Sequence, residues 1–272
     1  MRKTSQVESF YDGAAQYEWD RLERHRTEFA VTMRAMKDYL PAPPAKIIDI
    51  GGGPGRYSIA LAQQGYDITL VDISSNSLAF ARRKAREAGV KLSRCIHSCA
   101  TDLSKLPAEK YDAVLLMGPM YHLWKERERK KAIREAIRLV KPSGLIFASF
   151  VTRFAAIRHA AKFAPEGMLD KRRWHWAQRI LETGIYNPSA KNHGWTHAYF
   201  THPAEIKPLF EQEGIETFSL VACEGVVSMI EEKLNELEGE LWERWVDLNY
   251  RLGKEPSLHG AVEHLLYVGK KK

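Results

Sequence analysis

The stretch Ile47-Ile48-Asp49-Ile50-Gly51-Gly52-Gly53-Pro54-Gly55-Arg56-Tyr57 decides the fold. A branched apolar run ends in four glycines within five positions, and a helical pattern follows. A strand, a bare turn and a helix start, in that order, bring a ligand against unpaired main-chain N–H groups. Spacing narrows the choice of ligand. A dinucleotide fingerprint, G-x-G-x-x-G, needs a glycine where Arg56 stands. A P-loop needs Lys and then Ser or Thr after its glycines, and Arg56-Tyr57 takes their place. G-x-G-x-G suits a ligand that lacks a pyrophosphate.

Outward from this turn, short apolar runs alternate with helical patterns. Strands are expected at 46–50, 67–71, 92–96, 111–117 and 144–151. The helices between them fall at 57–64, 77–88 and 126–140, the second ended by Gly89 and the third stopped by Pro142. Such alternation specifies a parallel sheet with helices on both faces. The rhythm breaks over 152–198, a segment rich in Arg, His, Trp and Asn. It resumes with a helix at 201–213, a strand at 215–223 and a last strand at 262–268. Between those strands, residues 229–252 read as one long amphipathic helix. Its stripe is Ile230, Leu234, Leu237, Leu241, Trp245, Leu248 and Leu252. That helix either caps the core or packs a core face or a dimer partner. The reading is an α/β fold: a Rossmann-like doubly wound sheet, mostly parallel with an antiparallel last strand, plus helical cap insertions. Residues 1–44 form a helical cap segment, and inserts at 152–198 and 229–255 are expected to form a lid over the strand tips, where ligands bind.

The second strand ends in Val71-Asp72-Ile73, with Asp72 21 residues after Gly51. A carboxylate there can accept bonds from both hydroxyls of a ribose. Ser74 and Ser75 are available to cap the next helix, which leaves Asp72 free for the ligand. A ribose-bearing ligand without phosphates points to S-adenosylmethionine.

At this point the chain resembles a class I S-adenosylmethionine-dependent methyltransferase. The resemblance rests on Ile48 to Gly55, on Val71-Asp72-Ile73-Ser74, on Tyr111 to Leu123, and on Leu139-Val140-Lys141-Pro142-Ser143-Gly144. It covers about residues 45 to 150 and is strongest toward the ubiquinone and menaquinone methyltransferase branch. The resemblance implies roles. Gly51 and Gly53 contact the methionine end of the cofactor, Asp72 holds the ribose, and Ile73 lies on the adenine. Met117 and Gly118 meet the amino end. Cys99 stands where relatives carry an acid that reads the adenine amino group, so Asp102 or the backbone at Ala100 takes that role. Tyr11 and Tyr17, on a leading helix, either face the sulfonium or pack that helix on the core. Asp49 orders the turn.

Methyl transfer is an in-line displacement that needs alignment and exclusion of water, with a base only if the acceptor must lose a proton early. His122 and Tyr121, just beyond Gly118-Pro119, are the catalytic candidates. His193, Trp195 and His197 are candidates for the acceptor pocket, and Trp174 and Trp176 for its aromatic walls. The spacing of His193, His197 and His202 is a poor metal set, with Gly194 inside it and no Cys or carboxylate nearby, so no metal is expected.

The composition agrees. Three cysteines, Cys95, Cys99 and Cys223, make neither a disulfide scaffold nor a C-x-x-C pair. There is no secretion signal and no membrane-spanning run, so the expected place is the cytoplasm. The net charge of +7 is spread along the chain, its densest run, Lys125 to Lys141, having the spacing of an amphipathic helix with a solvated basic face. The expected partner is a small-molecule methyl acceptor, with a homodimer possible and nucleic acid disfavoured. Gly118-Pro119-Met120-Tyr121 stands where amino-group nucleic-acid methylation would show N-P-P-[YFW]. Alternative readings are an RNA or protein methyltransferase that uses the basic surface, and a non-catalytic S-adenosylmethionine-binding protein.

Overall fold

The computed structural model describes residues 3–187 and 196–272. Two helices lead, α1 (Lys3–Arg24) and α2 (Arg26–Tyr39). Strand β1 (Lys46–Ile50), α3 (Arg56–Gln63), β2 (Asp67–Asp72), α4 (Ser75–Glu87) and β3 (Arg94–His97) follow. Then come β4 (Tyr111–Leu116), α5 (Pro119–His122), α6 (Glu126–Leu139) and β5 (Val140–Val151). The 152–198 region holds α7 (Ala155–Phe163), α8 (Lys171–Thr183) and a short hairpin of β6 (Ile185–Tyr186) with β7 (Ala198–Tyr199). After α9 (Pro203–Glu211) and β8 (Ile215–Ala222) come a 3-10 turn at Gly225–Ile230, α10 (Glu231–Asn235), α11 (Gly239–Gly253) and β9 (His264–Lys271).

Seven strands form one sheet in the order β3-β2-β1-β4-β5-β9-β8. Strands β1 to β5 pair in parallel, and β9 lies antiparallel between β5 and β8. From β1 the chain first winds outward to β2 and β3, then returns to β4 on the other side. That reversal opens a crevice at the carboxyl ends of β1 and β4. Ile47, Ile48 and Ile50 are all fully buried, because helices cover both faces of a parallel sheet. One core face gathers Val31 and Met36 of α2 with Trp242 and Tyr250 of α11. The other gathers Ile133 of α6 and Phe210 of α9, whose ring stacks on Tyr267 at 4.0 Å. The last strand is antiparallel, as expected.

The helix expected over 229–252 is broken. Gly239 takes φ +57°, a left-handed conformation that starts α11 in a new phase. Leu234 is therefore buried with α10. The inner side of α11 is Trp242, Val246, Asn249, Tyr250 and Gly253, not the expected stripe. Leu241, Trp245 and Leu248 stay exposed. Among the described residues no helix is long and apolar enough to cross a membrane.

Candidate active site

The glycine turn sits at the reversal point. Gly51 N–H donates to Val71 O at 2.7 Å, which ties the turn to β2. Gly51 takes φ +71°, and a Cβ on it would lie 2.6 Å from Pro119 Cγ. Only glycine lets the turn after β1 touch the loop after β4. Gly53 differs: a Cβ there would meet nothing within 4 Å, because its surroundings are open cavity. That bare cradle fits a ligand laid against the main chain. Asp49 lies beneath, fully buried, accepting from Ser58 Oγ at 2.7 Å. Burial raises its carboxyl to about 7; the Ser58 bond opposes this and the nearby Asp72 adds to it. Asp49 therefore braces the turn from below.

The crevice encloses about 570 Å³. Gly51, Gly53, Asp72, Ile73, Ala100, Met117 and Gly118 line it, as do Tyr121, His122 and His197. Two residue sets far apart in the chain thus share one cavity. Helix α1 is its roof: Val7, Tyr11, Glu18 and Leu22 recur at steps of four and seven and so share a face. Asp12 fastens the roof by accepting from Ser74 Oγ at 2.7 Å. Tyr11 Oη lies 2.6 Å from His122 Nε2, and Thr196 Oγ1 lies 3.0 Å from its Nδ1. Burial lowers the His122 imidazole to about 4, against a small opposing effect of the His197 backbone. It is neutral at neutral pH. Burial also pushes the Tyr121 phenol well up, so Tyr121 stays protonated.

Several expectations need correction. Tyr17 is 61% exposed, and its ring lies under Arg24 at 4.6 Å, away from the cavity. Six residues beyond Tyr11 turn a helix by about 240°, which points Tyr17 outward. Asp102 is exposed too and accepts from Ser104 Oγ at 2.9 Å, a bond that lowers its carboxyl. The cavity wall there is Ser98, Cys99, Ala100 and Thr101. Asp102→Asn is accordingly expected to change S-adenosylhomocysteine affinity by less than about two-fold in titration calorimetry. Asp72 is not free: its two oxygens accept from Gly53 N and Ser74 N, each at 2.8 Å. Burial raises its carboxyl, and these two N–H groups hold it back. Ser74 does cap α4, accepting from Ser77 N.

His193 and Trp195 lie outside the described residues. His202 caps α9, with its Nδ1 accepting from Ala204 N at 3.2 Å. Trp174 is half exposed on α8, and Trp176 packs edge-on against Tyr186 rather than lining the cavity. No described residue of 229–255 lines the cavity either, since that segment packs on α2 and β8.

Glu18, Arg21, Trp124 and Arg127 are among the cavity groups that escaped the sequence reading. The four- and seven-residue spacing from Tyr11 was the available signal for Glu18. Arg21 connects the cavity to a buried ionic cluster. Its Nη1 and Nη2 donate to Glu28 at 2.6 and 3.1 Å, and Glu28 lies 3.7 Å from His264 Nδ1. His264 also pairs with Glu224. Burial would lower the imidazole, but Glu28 and Glu224 outweigh it and raise His264 to about 9. Burial would likewise raise Glu28, yet Arg21 and His264 hold it well below the usual carboxylate range.

Comparison with known proteins agrees with this geometry. The family described as Methyltransferase domain matches residues 47–144. The chain is 28% identical to a glycine/sarcosine N-methyltransferase of Parasynechococcus marenigrum, covering 84% of this chain and 71% of that protein. It is 30% identical to a ubiquinone biosynthesis O-methyltransferase of Bordetella avium, over 63% of this chain and 62% of that one, so it spans less than two thirds of the latter's length. In structure it resembles a SAM-dependent methyltransferase of Methanosarcina mazei, with TM-score 0.60 and 20% identity, over 87% of this chain and 96% of that chain. A bare turn at the reversal point, an acidic tip on β2, a β9 antiparallel between β5 and β8, and these likenesses converge: residues 47–144 carry a methyltransferase domain of the class I S-adenosylmethionine-dependent kind.

Proposed function

We propose that the protein transfers a methyl group from S-adenosylmethionine to a small-molecule acceptor. The carrying observation is one cavity that joins the glycine turn and Asp72 to an enclosed end walled by Tyr11, Tyr121, His122 and His197. The bound cofactor supplies an activated methyl on a sulfonium; the chain's own residues supply position and dryness. Gly51 and Gly53 present backbone, Asp72 the sugar-binding carboxylate, and Ile73 with Ala100 the flanks of the base. Arg21 and Glu18 set opposite charges at the roof. An acceptor held between Tyr11 and Tyr121 passes its proton, if it has one to lose, to Tyr11 Oη and so to His122 Nε2. The two relatives named above act, by their names, on a small amino acid and in quinone synthesis, which supports an acceptor of that size.

Formation of S-adenosylhomocysteine against pools of metabolites, with an RNA and a protein control, tests the reading. Turnover with RNA or protein alone would overturn it, as would tight cofactor binding with no turnover on any pool. The imidazole also predicts a pH profile. The neutral form is the working one, and it persists down to about pH 4. The kcat of the wild type is thus expected to show no limb near the ordinary histidine value of about 6.5. A limb at that value, abolished in His122→Asn, would show that His122 titrates normally and lies exposed during turnover.

A further inference from the structure

The break at Gly239 leaves α11 with an apolar row that the core does not use. Leu241, Trp245 and Leu248 are 53%, 36% and 46% exposed. Their spacing, i, i+4 and i+7, sets them in one line along the helix. A charged row runs beside it: Glu240, Arg244, Asp247 and Arg251. At 3.6 residues per turn these four fall within a sector of about 60°. Within the chain they form two exposed pairs, Arg244 with Glu240 at 2.6 Å and Arg251 with Asp247 at 2.8 Å, and Asp247 also lies 3.8 Å from Arg34 of α2. Such pairs contribute little by themselves.

The order of these charges is informative. Read along α11 it is minus, plus, minus, plus. Lay a second copy of the helix beside the first in the reverse direction, with Trp245 against its counterpart. Leu241 then meets Leu248 of the copy, Glu240 meets Arg251, and Arg244 meets Asp247. A two-fold axis normal to both helices keeps the same flank against the same flank, so the apolar row and the charged row match together. In a parallel two-fold arrangement opposite flanks meet, so the charged row of one copy would lie against the apolar row of the other. Val226, Met229 and Ile230, in the 3-10 turn that packs on α11, are also 40–47% exposed. A membrane surface fits poorly, since helices that lie on membranes carry Lys and Arg on the polar face, whereas here the signs balance.

We propose that this face of α11 is an isologous, antiparallel homodimer interface, the partner being a second copy of this chain. The proposal is independent of the acceptor reading, because the face lies outside the cavity. Light scattering and sedimentation of the full chain test it. The wild type is expected at twice the 31.1 kDa chain mass, and Trp245→Glu is expected to raise the dissociation constant by about 100-fold. The decisive arm is a charge exchange. R244E/R251E makes the row wholly acidic, and E240R/D247R makes it wholly basic. Each is expected to be monomeric alone and to form a heterodimer on mixing, with S-adenosylhomocysteine affinity unchanged as the check of folding. A wild type that stays at 31.1 kDa up to on the order of 100 µM overturns the proposal. So do a persistent Trp245→Glu dimer, a mixture that remains monomeric, and flotation of the wild type, but not Trp245→Glu, with phosphatidylglycerol vesicles.

Discussion

Glu28→Gln is expected to destabilise the folded protein by about 3–5 kcal/mol, the usual cost of removing one partner from a buried charge pair. Glu28 is 3% exposed and holds both Arg21 nitrogens while facing His264. Without its charge, a guanidinium and an imidazolium are left close together. The dependence on pH carries a definite sign. His264 has a raised value in the fold, so its contribution is complete below the ordinary 6.5 and is lost as pH rises through about 9. Glu28 has a depressed value, so its contribution is complete above the ordinary 4.5 and is lost as pH falls through the lower folded value. The cluster therefore stabilises most between 4.5 and 6.5. Urea unfolding at about pH 6 and about pH 9.5 measures it, with the wild type losing stability at the higher pH and Glu28→Gln losing less. Equal wild-type midpoints, or a mutant penalty under about 1 kcal/mol, would contradict the account.

Asp72→Ala is expected to weaken cofactor binding by about 100-fold, or about 2.7 kcal/mol. More than a sugar contact goes. Gly53 N and Ser74 N lose the carboxylate oxygens to which they donate, so the turn after β1 and the start of α4 both lose their shape. Asp72→Asn is expected to lose nearly as much, because its amide nitrogen would face one of those two donors. Calorimetry with S-adenosylhomocysteine decides the matter, and unchanged affinity in both variants would remove Asp72 from the site.

The sheet was legible because its signal is local. Ile47 to Ile50, the glycines and the Asp72 tip announce strand, turn and strand within a short span. The mostly parallel core followed from the alternation, and the order in which β1 to β5 pair bears it out. The site was legible in part. Residues on strand tips were located because a tip has one place to point. Tyr17 and Asp102 misled because their environment depends on helix phase and on a turn, neither of which spacing from the glycines constrains. Arg21, Glu28 and His264 stayed hidden for a different reason: they come from α1, α2 and β9, and only the tertiary fold brings them together. The 229–252 stripe was correct as a pattern and wrong as a packing face, since one left-handed glycine rotated its second half away from the core.

Asp12 joins α1 to the start of α4, beside the Asp72 carboxylate that accepts from Ser74 N. Among the described residues, α1 gives the main core the buried side chain of Leu22, with Trp19 packed against it. The chamber owes this helix a whole wall, and the buried Glu28 owes it Arg21. A chain trimmed of its first 24 residues would lose Arg21 from beside Glu28 and leave an unroofed trough, flooded by solvent at the place where a methyl group must travel dry.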